Sequence, residues 1–465
     1  MVSPEVVERI SSTAQISCLG VVNEQGYRAS GETQAFSGFF PRDACLASEE
    51  RFFRLSRKNL PPQILREIPV IIHPDRYKKI DEFTDEEKEA IINTLLPVRN
   101  SLRTMAKFQG KVVDKARDEE PGKISHELRF WDYDGQILAD TANNRVLEKL
   151  ASGNWCVDEE GLRYYGSIDS TPLFVMVACE YLRLTEDMDF LVDFDQSIRA
   201  AIEWMDIYGN IKDDGYIRYQ AKNRNALINQ GWKDSGNSIN YPDGHEKVKE
   251  PVALVEVQGY QYLALMRAAK LYESLDTEYA KKLNERAQNL KTRFNKDFWM
   301  SDEKFFAQAL DGDDTQIRDI TSNVGHLLVT GIIDSEKEPF VVNRLMQPDM
   351  LTAYGIRTLS LLSPNYSEND TDSYHNGSIW PHDNCIIALG FIKLGYLNEA
   401  NIVRDRILEA EMILLNEYGA RQSELFIVGV DGSLRPYKYT QQPQTWVMEA
   451  DRVFTDESWP LPVAA

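Results

Sequence analysis

Apolar residues recur at every third or fourth position along most of the chain. One such series predicts an amphipathic helix between residues 279 and 298, since residues three and four apart share a helix face. Its apolar positions are Tyr279, Leu283, Ala287, Leu290, Phe294 and Phe298. Similar patterns predict helices at roughly 88–108, 171–186, 193–208, 252–274, 321–332, 381–395 and 399–417. The chain is therefore predicted to be mainly α-helical, with about a dozen helices separated by polar turns.

Strand-like sequence is scarce. It occurs mainly in the first forty residues, around Ile16–Val22, and in short pieces such as Tyr216–Gln220. We therefore expect a short irregular or β segment at the N-terminus, followed by helices.

Consecutive helices joined by long loops suit either an α-solenoid or a closed toroid of helical hairpins. A solenoid would show similar repeats with a period of roughly 34 to 47 residues. No such repeat aligns here, and each loop has its own polar and aromatic residues. We therefore predict a toroid whose loops converge on one pocket. Residues 1–35 would form an N-terminal extension packed on the barrel, and residues 36–465 would form the catalytic barrel.

Charge and composition narrow the range of partners. The 465 residues include 52 basic and 73 acidic side chains, a net charge of −21, which disfavours nucleic acids and anionic membrane surfaces. The 8 Trp, 21 Tyr and 19 Phe residues suit either a large core or a cleft that binds the apolar faces of sugars. A neutral carbohydrate is the partner that fits this composition, and no oligomeric state is specified.

The cysteines and the N-terminus bear on location. Five scattered cysteines have no paired spacing, which is atypical of a disulfide framework or a structural zinc site. The first residues lack an apolar run of signal-peptide length, and no segment reaches the roughly 20 apolar residues of a membrane helix. We therefore expect reduced thiols in a cytoplasmic protein.

Asp234 lies in a loop, Asn229–Ser238, that combines amides, glycines, a Trp, a Lys and a carboxylate. Trp232 could stack on a pyranose ring, and shelter from water would raise the pKa of Asp234 toward that of a general acid. Lys233 would lower that pKa unless it points away. The alternative interpretation is an ordinary helix N-cap.

Glu424 is a second candidate carboxylate, placed after Arg421 and before Leu425. The guanidinium could hold an ionised carboxylate in reach of a water molecule, although an ordinary surface ion pair would look the same in sequence. Glycoside hydrolysis needs one carboxylic acid and one carboxylate. Asp234 and Glu424 could therefore serve as an acid and a base.

Other dense clusters are Tyr374–Asn384, Gln442–Trp446 and Phe39–Asp43. The two histidines of the first cluster could suggest a metal, but the Gly, Ser, Trp and Pro around them suit a sugar subsite better. The run Asp311–Asp314 resembles part of a calcium loop, yet the Gly and Glu positions of an EF-hand do not follow, so we predict an exposed turn. Neither a metal nor an organic cofactor is expected.

Residues Tyr164–Val453 resemble the catalytic toroid of bacterial and archaeal amylo-α-1,6-glucosidase (glycogen-debranching-like) proteins. Seven motifs agree in order and spacing: Tyr164–Phe174, Gly231–Ser235, Glu256–Tyr260, Thr321–His326, Tyr354–Thr358, Tyr374–Asn384 and Glu424–Phe426. Two shorter motifs, Phe40–Asp43 and Ser125–Glu127, extend the likeness toward the N-terminus.

This resemblance implies an (α/α)6 barrel, the six-hairpin glycosidase fold, and an inverting glycosidase. It implies Asp234 as the general acid and Glu424 as the general base. The predicted substrate-binding residues are Arg42, Asp43, Tyr165, Trp232, Lys233, Gln258, His375, Trp380 and Trp446.

The expected activity is release of glucose from an α-glucoside. Stand-alone (α/α)6 enzymes of similar sequence act on glucosylglycerate or mannosylglycerate, so hydrolysis of such solutes is the alternative within enzymes. Outside enzymes, the alternatives are a non-catalytic carbohydrate-binding barrel and an α-solenoid interaction module.

Overall fold

A computed structural model of the chain describes residues 2–23, 25–30, 38–58, 93–131, 140–223, 225, 227–242, 248–456 and 459. Within these ranges, helices account for most of the regular structure. The α-helices are α1 (Pro4–Val21), α2 (Pro41–Lys58), α3 (Leu96–Lys107), α4 (Asp140–Ser152), α5 (Ser170–Thr185), α6 (Met188–Ile207), α7 (Val255–Tyr272), α8 (Thr277–Asp297), α9 (Glu338–Leu345), α10 (Pro381–Lys393), α11 (Leu397–Tyr418) and α12 (Thr445–Phe454). A 3-10 helix, Ser322–Val329, lies between α8 and α9.

The strands are two to four residues long and pair only antiparallel in the described part of the chain. They are β1 (Val22–Asn23), β2 (Gly26–Tyr27), β3 (Glu127–Phe130), β4 (Gly161–Tyr164), β5 (Ala253–Leu254), β6 (Trp299–Met300), β7 (Phe305–Phe306), β8 (Ala309–Leu310), β9 (Gln316–Ile317), β10 (Leu351–Thr352), β11 (Gly355–Ile356), β12 (Phe426–Val428) and β13 (Leu434–Pro436). The sheets are β1-β2, β3-β4, β5-β8-β9, β6-β7, β10-β11 and β12-β13. Sheets this small only join the segments between helices, and they do not form a separate layer.

Six helices pack in a closed circuit. In order they are α2, α5, α7, the 3-10 helix, α10 and α12, and α12 packs back on α2. Each also packs on a second helix, namely α3, α6, α8, α9, α11 and α1 respectively. This arrangement of six pairs is compatible with an (α/α)6 toroid.

The sequence explains which helices lie inside. Helix α5 is buried around almost its whole circumference, as is α10, because apolar residues predominate around both helices. Helix α8 instead buries one stripe that includes Leu283, Ala287 and Leu290, and it begins where Asp276 accepts a hydrogen bond from the backbone N–H of Tyr279 at 3.1 Å. Such a polar-faced helix belongs on the outside of the circuit.

The strand expected at Ile16–Val22 is wrong, because α1 extends from Pro4 to Val21. Its sequence contains β-branched residues, but helix formation buries Ile10, Ala14 and Ser17 on one face, and α1 packs on α11 and α12. Tertiary packing therefore overrides local strand propensity. The piece at Tyr216–Gln220 contributes a single bridge, between Tyr219 and Val252.

Helix α1 contacts the C-terminal part of the barrel directly. The Ser17 hydroxyl donates to Gln422 at 2.7 Å, and just beyond the helix the backbone N–H of Thr445 donates to the Ala29 carbonyl at 2.8 Å. The division into residues 1–35 and 36–465 stays a prediction, and residues 31–37 lie outside the described ranges. No helix in those ranges is long and apolar enough to cross a membrane.

We expect Glu449→Gln to lower the free energy of unfolding by about 3–5 kcal/mol, because removing one partner leaves buried charges uncompensated. Glu449 is fully buried and accepts hydrogen bonds from Tyr27 at 3.1 Å, Arg51 Nε at 3.0 Å and Arg452 at 3.3 Å. Burial opposes its ionisation, yet the three neighbouring arginines, Arg51, Arg452 and Arg54, lower its pKa to about 2. Urea unfolding measures the change.

The matched control for this variant is Glu417→Gln on the exposed side of α11, which should change stability by no more than about 0.5 kcal/mol. Equal, small decreases in the free energy of unfolding of both variants would contradict the prediction for Glu449→Gln. They would show that the contacts of Glu449 with Tyr27 and Arg51 do not hold those residues to α12.

Candidate active site

The N-terminal ends of two helices and two loops bring the candidate residues together. Arg42 and Asp43 lie in the first turn of α2, and Asp169 directly precedes α5. Asp234 lies in the long loop between α6 and α7, and Glu424 lies between α11 and β12. Residues far apart in sequence thus meet at one end of the helix circuit.

Arg42 connects two of the carboxylates. Its Nε donates to Asp169 Oδ2 at 2.6 Å, and its Nη1 donates to Asp234 Oδ2 at 3.3 Å. The Asp234 side chain keeps 27% of its surface exposed, whereas Asp169 is fully buried. Burial raises the pKa of Asp234 to about 6, with the Arg42 cation opposing and the Asp169 charge assisting this shift. Asp234 therefore combines access from solvent with a pKa that is shifted from its usual value toward neutral pH.

Contacts on both sides hold the Asp234 loop in place. The Ser235 hydroxyl lies 2.8 Å from His375 Nδ1, and the Lys233 ammonium donates to the Thr358 carbonyl at 2.6 Å. Lys233 is only 2% exposed, and its charged group contacts this backbone carbonyl. Burial lowers the pKa of Lys233 to about 8 and that of His375 well below its usual range.

Glu424 is almost completely buried, with 3% of its surface exposed. Its Oε1 accepts a hydrogen bond from the Tyr374 hydroxyl at 2.9 Å and from Gln444 at 3.5 Å, and its Oε2 accepts from the backbone N–H of Gln441 at 3.4 Å. Burial raises the pKa of Glu424 to about 7 although these donors favour the anion. Arg421, the cation that the sequence suggested as its partner, is exposed.

Asp43 is a further carboxyl group in this region. It is 5% exposed, and burial raises its pKa well above the usual range. Arg42 opposes that shift, while the charges of Glu424, Asp234 and Asp169 reinforce it. Burial and the neighbouring acids thus both favour the protonated form of Asp43.

The predicted aromatic residues form a packed layer behind the loop. The Trp232 ring stacks on the His326 ring with 5.7 Å between the ring centroids, and it meets the Trp380 ring edge-on with 5.6 Å between the centroids. Trp446 stacks on His382 at 3.9 Å. Trp232, Trp380 and Trp446 are each less than 5% exposed, so they pack among themselves and with the histidines and do not form an open platform.

Two predicted substrate-binding residues use their polar groups elsewhere. Gln258 is fully buried and exchanges hydrogen bonds of 3.0 and 2.9 Å with the backbone of Ile217. The Tyr165 hydroxyl donates to the Phe108 carbonyl at 2.7 Å. Their roles toward substrate stay predictions, and the contacts shown here are with neighbouring loops.

Sequence reasoning assigned no individual role to several residues that contact Glu424 or Arg42. Gln441 and Gln444 contact Glu424. Asp169 contacts Arg42, and so does His126, whose Nδ1 lies 3.5 Å from Arg42 Nη2. Asp169 and His126 do occur within motifs that carry the resemblance. An aspartate before a helix nevertheless looks like an ordinary N-cap in sequence.

In the described ranges, no group of three or more His, Cys, Asp or Glu side chains is arranged to hold a metal ion. The run that resembled a calcium loop is paired with cations of the protein itself. Asp314 lies 2.6 Å from both Arg218 and Lys212, and Asp313 lies 2.6 Å from Lys249. These carboxylates are therefore engaged in surface ion pairs.

Comparison with known proteins adds a family assignment for part of the chain. Residues 188–418 match the family model for the mannosylglycerate hydrolase MGH1-like glycoside hydrolase domain. That segment contains Asp234, whereas Glu424 lies just beyond it. No curated protein matches the chain.

Solved structures share the fold at low sequence identity. A GH63 mannosylglycerate hydrolase from Thermus thermophilus, in complex with Tris, aligns with a TM-score of 0.58 and 11% identity over 96% of this chain and 99% of its own. An uncharacterized conserved protein from the same organism gives a TM-score of 0.59, also at 11% identity and with the same coverage. A rhamnosidase from Klebsiella oxytoca with rhamnose bound gives 0.53 and 13% identity, covering 97% of this chain and 64% of its own.

The family match supports a glycoside hydrolase in general, and the shared fold is that of the two Thermus thermophilus proteins. Neither finding singles out the amylo-α-1,6-glucosidases, so that narrower expectation stays a prediction.

Proposed function

We propose that this protein is an inverting glycoside hydrolase that acts on small glycosylated solutes of the mannosylglycerate or glucosylglycerate type. The observation that carries the proposal is the carboxyl pair. Asp234 is accessible and its pKa is raised to about 6, and Glu424 is buried against three hydrogen-bond donors. The family match within residues 188–418 supports this substrate class over branched glucans.

In the proposed reaction, Asp234 donates its proton to the glycosidic oxygen as the bond from that oxygen to the anomeric carbon breaks. Glu424 accepts a proton from a water molecule that attacks the anomeric carbon from the opposite face. The released sugar then has the inverted configuration. This mechanism requires the two carboxyl groups to lie roughly 6.5 to 9.5 Å apart in the substrate complex, so that the water fits between them.

The other predicted residues divide into three proposed roles. Asp43, with its raised pKa, would bind a sugar hydroxyl beside the reacting bond. Arg42 would orient Asp234, since its guanidinium already contacts Asp169 and Asp234. The wall of the pocket behind them would be formed by Trp232, His375, Trp380 and Trp446.

The proposal is tested by incubating the purified protein with mannosylglycerate, glucosylglycerate, isomaltose, panose and a branched limit dextrin. Proton NMR in the first minutes follows the anomeric signals. We expect early β-anomer from an α-linked glycerate glycoside. Early α-anomer would contradict inversion, hydrolysis confined to isomaltose, panose or dextrin would favour the debranching activity, and no release from any substrate would favour a binding protein.

We expect a bell-shaped dependence of kcat/KM on pH, with its maximum between about pH 6 and about pH 7. The reacting form needs Asp234 protonated and Glu424 ionised, and burial places their pKa values at about 6 and about 7. Because the acid has the lower of the two values, the reacting form is the minor one of the two singly protonated forms even at the maximum. At lower pH Glu424 is protonated in more of the molecules, and at higher pH Asp234 is ionised in more of them, so kcat/KM falls on both sides. Because the two charges interact, the measured values belong to the pair.

The measurement is kcat/KM against pH at constant ionic strength. A rate that stays constant from about pH 5 to about pH 9 would show that these two groups do not control the reaction.

A further inference from the structure

The guanidinium of Arg42 is shared unequally between two carboxylates. Its Nε lies 2.6 Å from Asp169 Oδ2, while its Nη1 lies 3.3 Å from Asp234 Oδ2. Arg42 is only 4% exposed and Asp169 is fully buried, so their ion pair is shielded from solvent. The shorter and more buried contact is the stronger one. Asp169 therefore competes with Asp234 for the same cation.

Asp169 is held in this role by its own neighbours. It is the residue immediately before α5, a position where an aspartate ordinarily accepts hydrogen bonds from the first turn of its helix. Its side chain makes no such cap. Instead Asp169 Oδ1 accepts a hydrogen bond from the Ser167 hydroxyl, which in turn lies 2.9 Å from the Ser170 hydroxyl. The positive end of the α5 dipole favours the anion there as well.

We propose that Asp169 is a positioning residue that draws the Arg42 cation away from Asp234, so that Asp234 can hold the proton needed for cleavage. This inference rests on the proposed function, because it assigns Asp234 the role of general acid. Without Asp169, the Arg42 guanidinium would face Asp234 alone and stabilise its ionised form. Because Asp169 competes for Arg42, Asp234 can hold the proton it requires even though a cation lies beside it.

Other ionisable groups face this cluster from every side. Asp43 lies beside Arg42, His126 contacts Arg42, and Glu424 interacts with Asp234. Further neighbours are Cys45, Glu256, Tyr260, Tyr374, His375 and His382. The proposed effect is specific to Asp169 because it is the group that accepts the short hydrogen bond from Arg42 Nε.

The test is Asp169→Asn, which keeps the shape of the side chain and removes its charge. We expect kcat/KM to fall about tenfold at about pH 8, where the reaction depends on the small protonated fraction of Asp234. At about pH 4.5 Asp234 is protonated in both proteins, so kcat/KM should change less than about twofold. A purely structural defect would lower both values equally.

Two further variants complete the design. Asp169→Glu keeps the charge and should restore the wild-type ratio between the two pH values. Asp349→Asn is the matched control, since Asp349 also pairs with an arginine, Arg344 at 2.8 Å, and with a serine hydroxyl, that of Ser360. It should leave the pH ratio unchanged. Should Asp169→Asn fail to fold, Asp169→Ser places a neutral group at the same position and carries the same expectation.

Equal losses at both pH values, or no loss at either, would overturn the proposal for Asp169. Failure of the proposed function is a separate outcome: Asp234→Asn would then keep wild-type activity on the natural glycoside. Both the proposal for Asp169 and the proposed function are supported by one combined result. In Asp169→Asn the ratio of kcat/KM between the two pH values is altered, and Asp234→Asn is inactive.

Discussion

Asp234→Asn should lower kcat on a natural glycoside by about 10²–10⁴-fold, the usual contribution of a general acid. The amide keeps the size of the carboxyl group but has no proton to give to the leaving oxygen. KM should change little, because Asp234 lies at the edge of the pocket with 27% of its side chain exposed. The loss would therefore appear in the chemical step.

The leaving group offers a sharper test of this role. A glycosyl fluoride or a dinitrophenyl glycoside departs without protonation, so Asp234→Asn should retain far more activity on these substrates than on the natural glycoside. Asp189→Asn, on the exposed side of α6, is the control and should match wild type on all of them. Equal losses on activated and natural substrates would contradict a general-acid role and indicate a general defect in the site.

The sequence predicted those helices whose apolar stripe is regular. Helix α8 is the best case, since its buried residues Leu283, Leu290 and Phe294 follow the predicted series. Helices α2 and α12 were not predicted, because both carry charged residues on their buried sides. Glu449 of α12 is fully buried and is neutralised by Arg51 of α2. Such pairs can be recognised only once the two helices are known to face each other.

The candidate carboxylates were found from local composition, but their partners were not. Arg42 is separated from Asp169 by 127 positions and from Asp234 by 192. The Lys233 ammonium group is oriented by its hydrogen bond to the carbonyl of Thr358, 125 positions away. Closure of the helix circuit creates these contacts, so a single sequence contains no local signal for them.

The resemblance in sequence was sound for the broad class and too narrow for the substrate. Motifs such as Gly231–Ser235 and Glu424–Phe426 contain the proposed acid and base, which glycosidases of different specificity can share. Specificity depends on other residues, which such motifs do not identify. The substrate class therefore rests on the family match, and substrate assays decide it.

Glu424→Gln should abolish turnover of natural and activated glycosides alike, by about 10²–10⁴-fold, because every substrate needs a deprotonated water. The amide can still accept the hydrogen bond from Tyr374, which lies 2.9 Å from Oε1 in the wild-type protein, so the local structure should persist. Azide, an anion that needs no base, should restore turnover of a glycosyl fluoride.

Turnover of a glycosyl fluoride by Glu424→Gln in the presence of azide should give one defined product. The product should be a glycosyl azide of inverted configuration, identified by NMR, since azide would enter from the face that water normally uses. The exposed variant Glu417→Gln should hydrolyse all substrates at the wild-type rate and form no azide adduct. A Glu424→Gln protein that hydrolyses activated glycosides at the wild-type rate would exclude Glu424 as the base. An azide product of retained configuration would instead indicate a covalent glycosyl-enzyme intermediate, and with it a nucleophile elsewhere in the site.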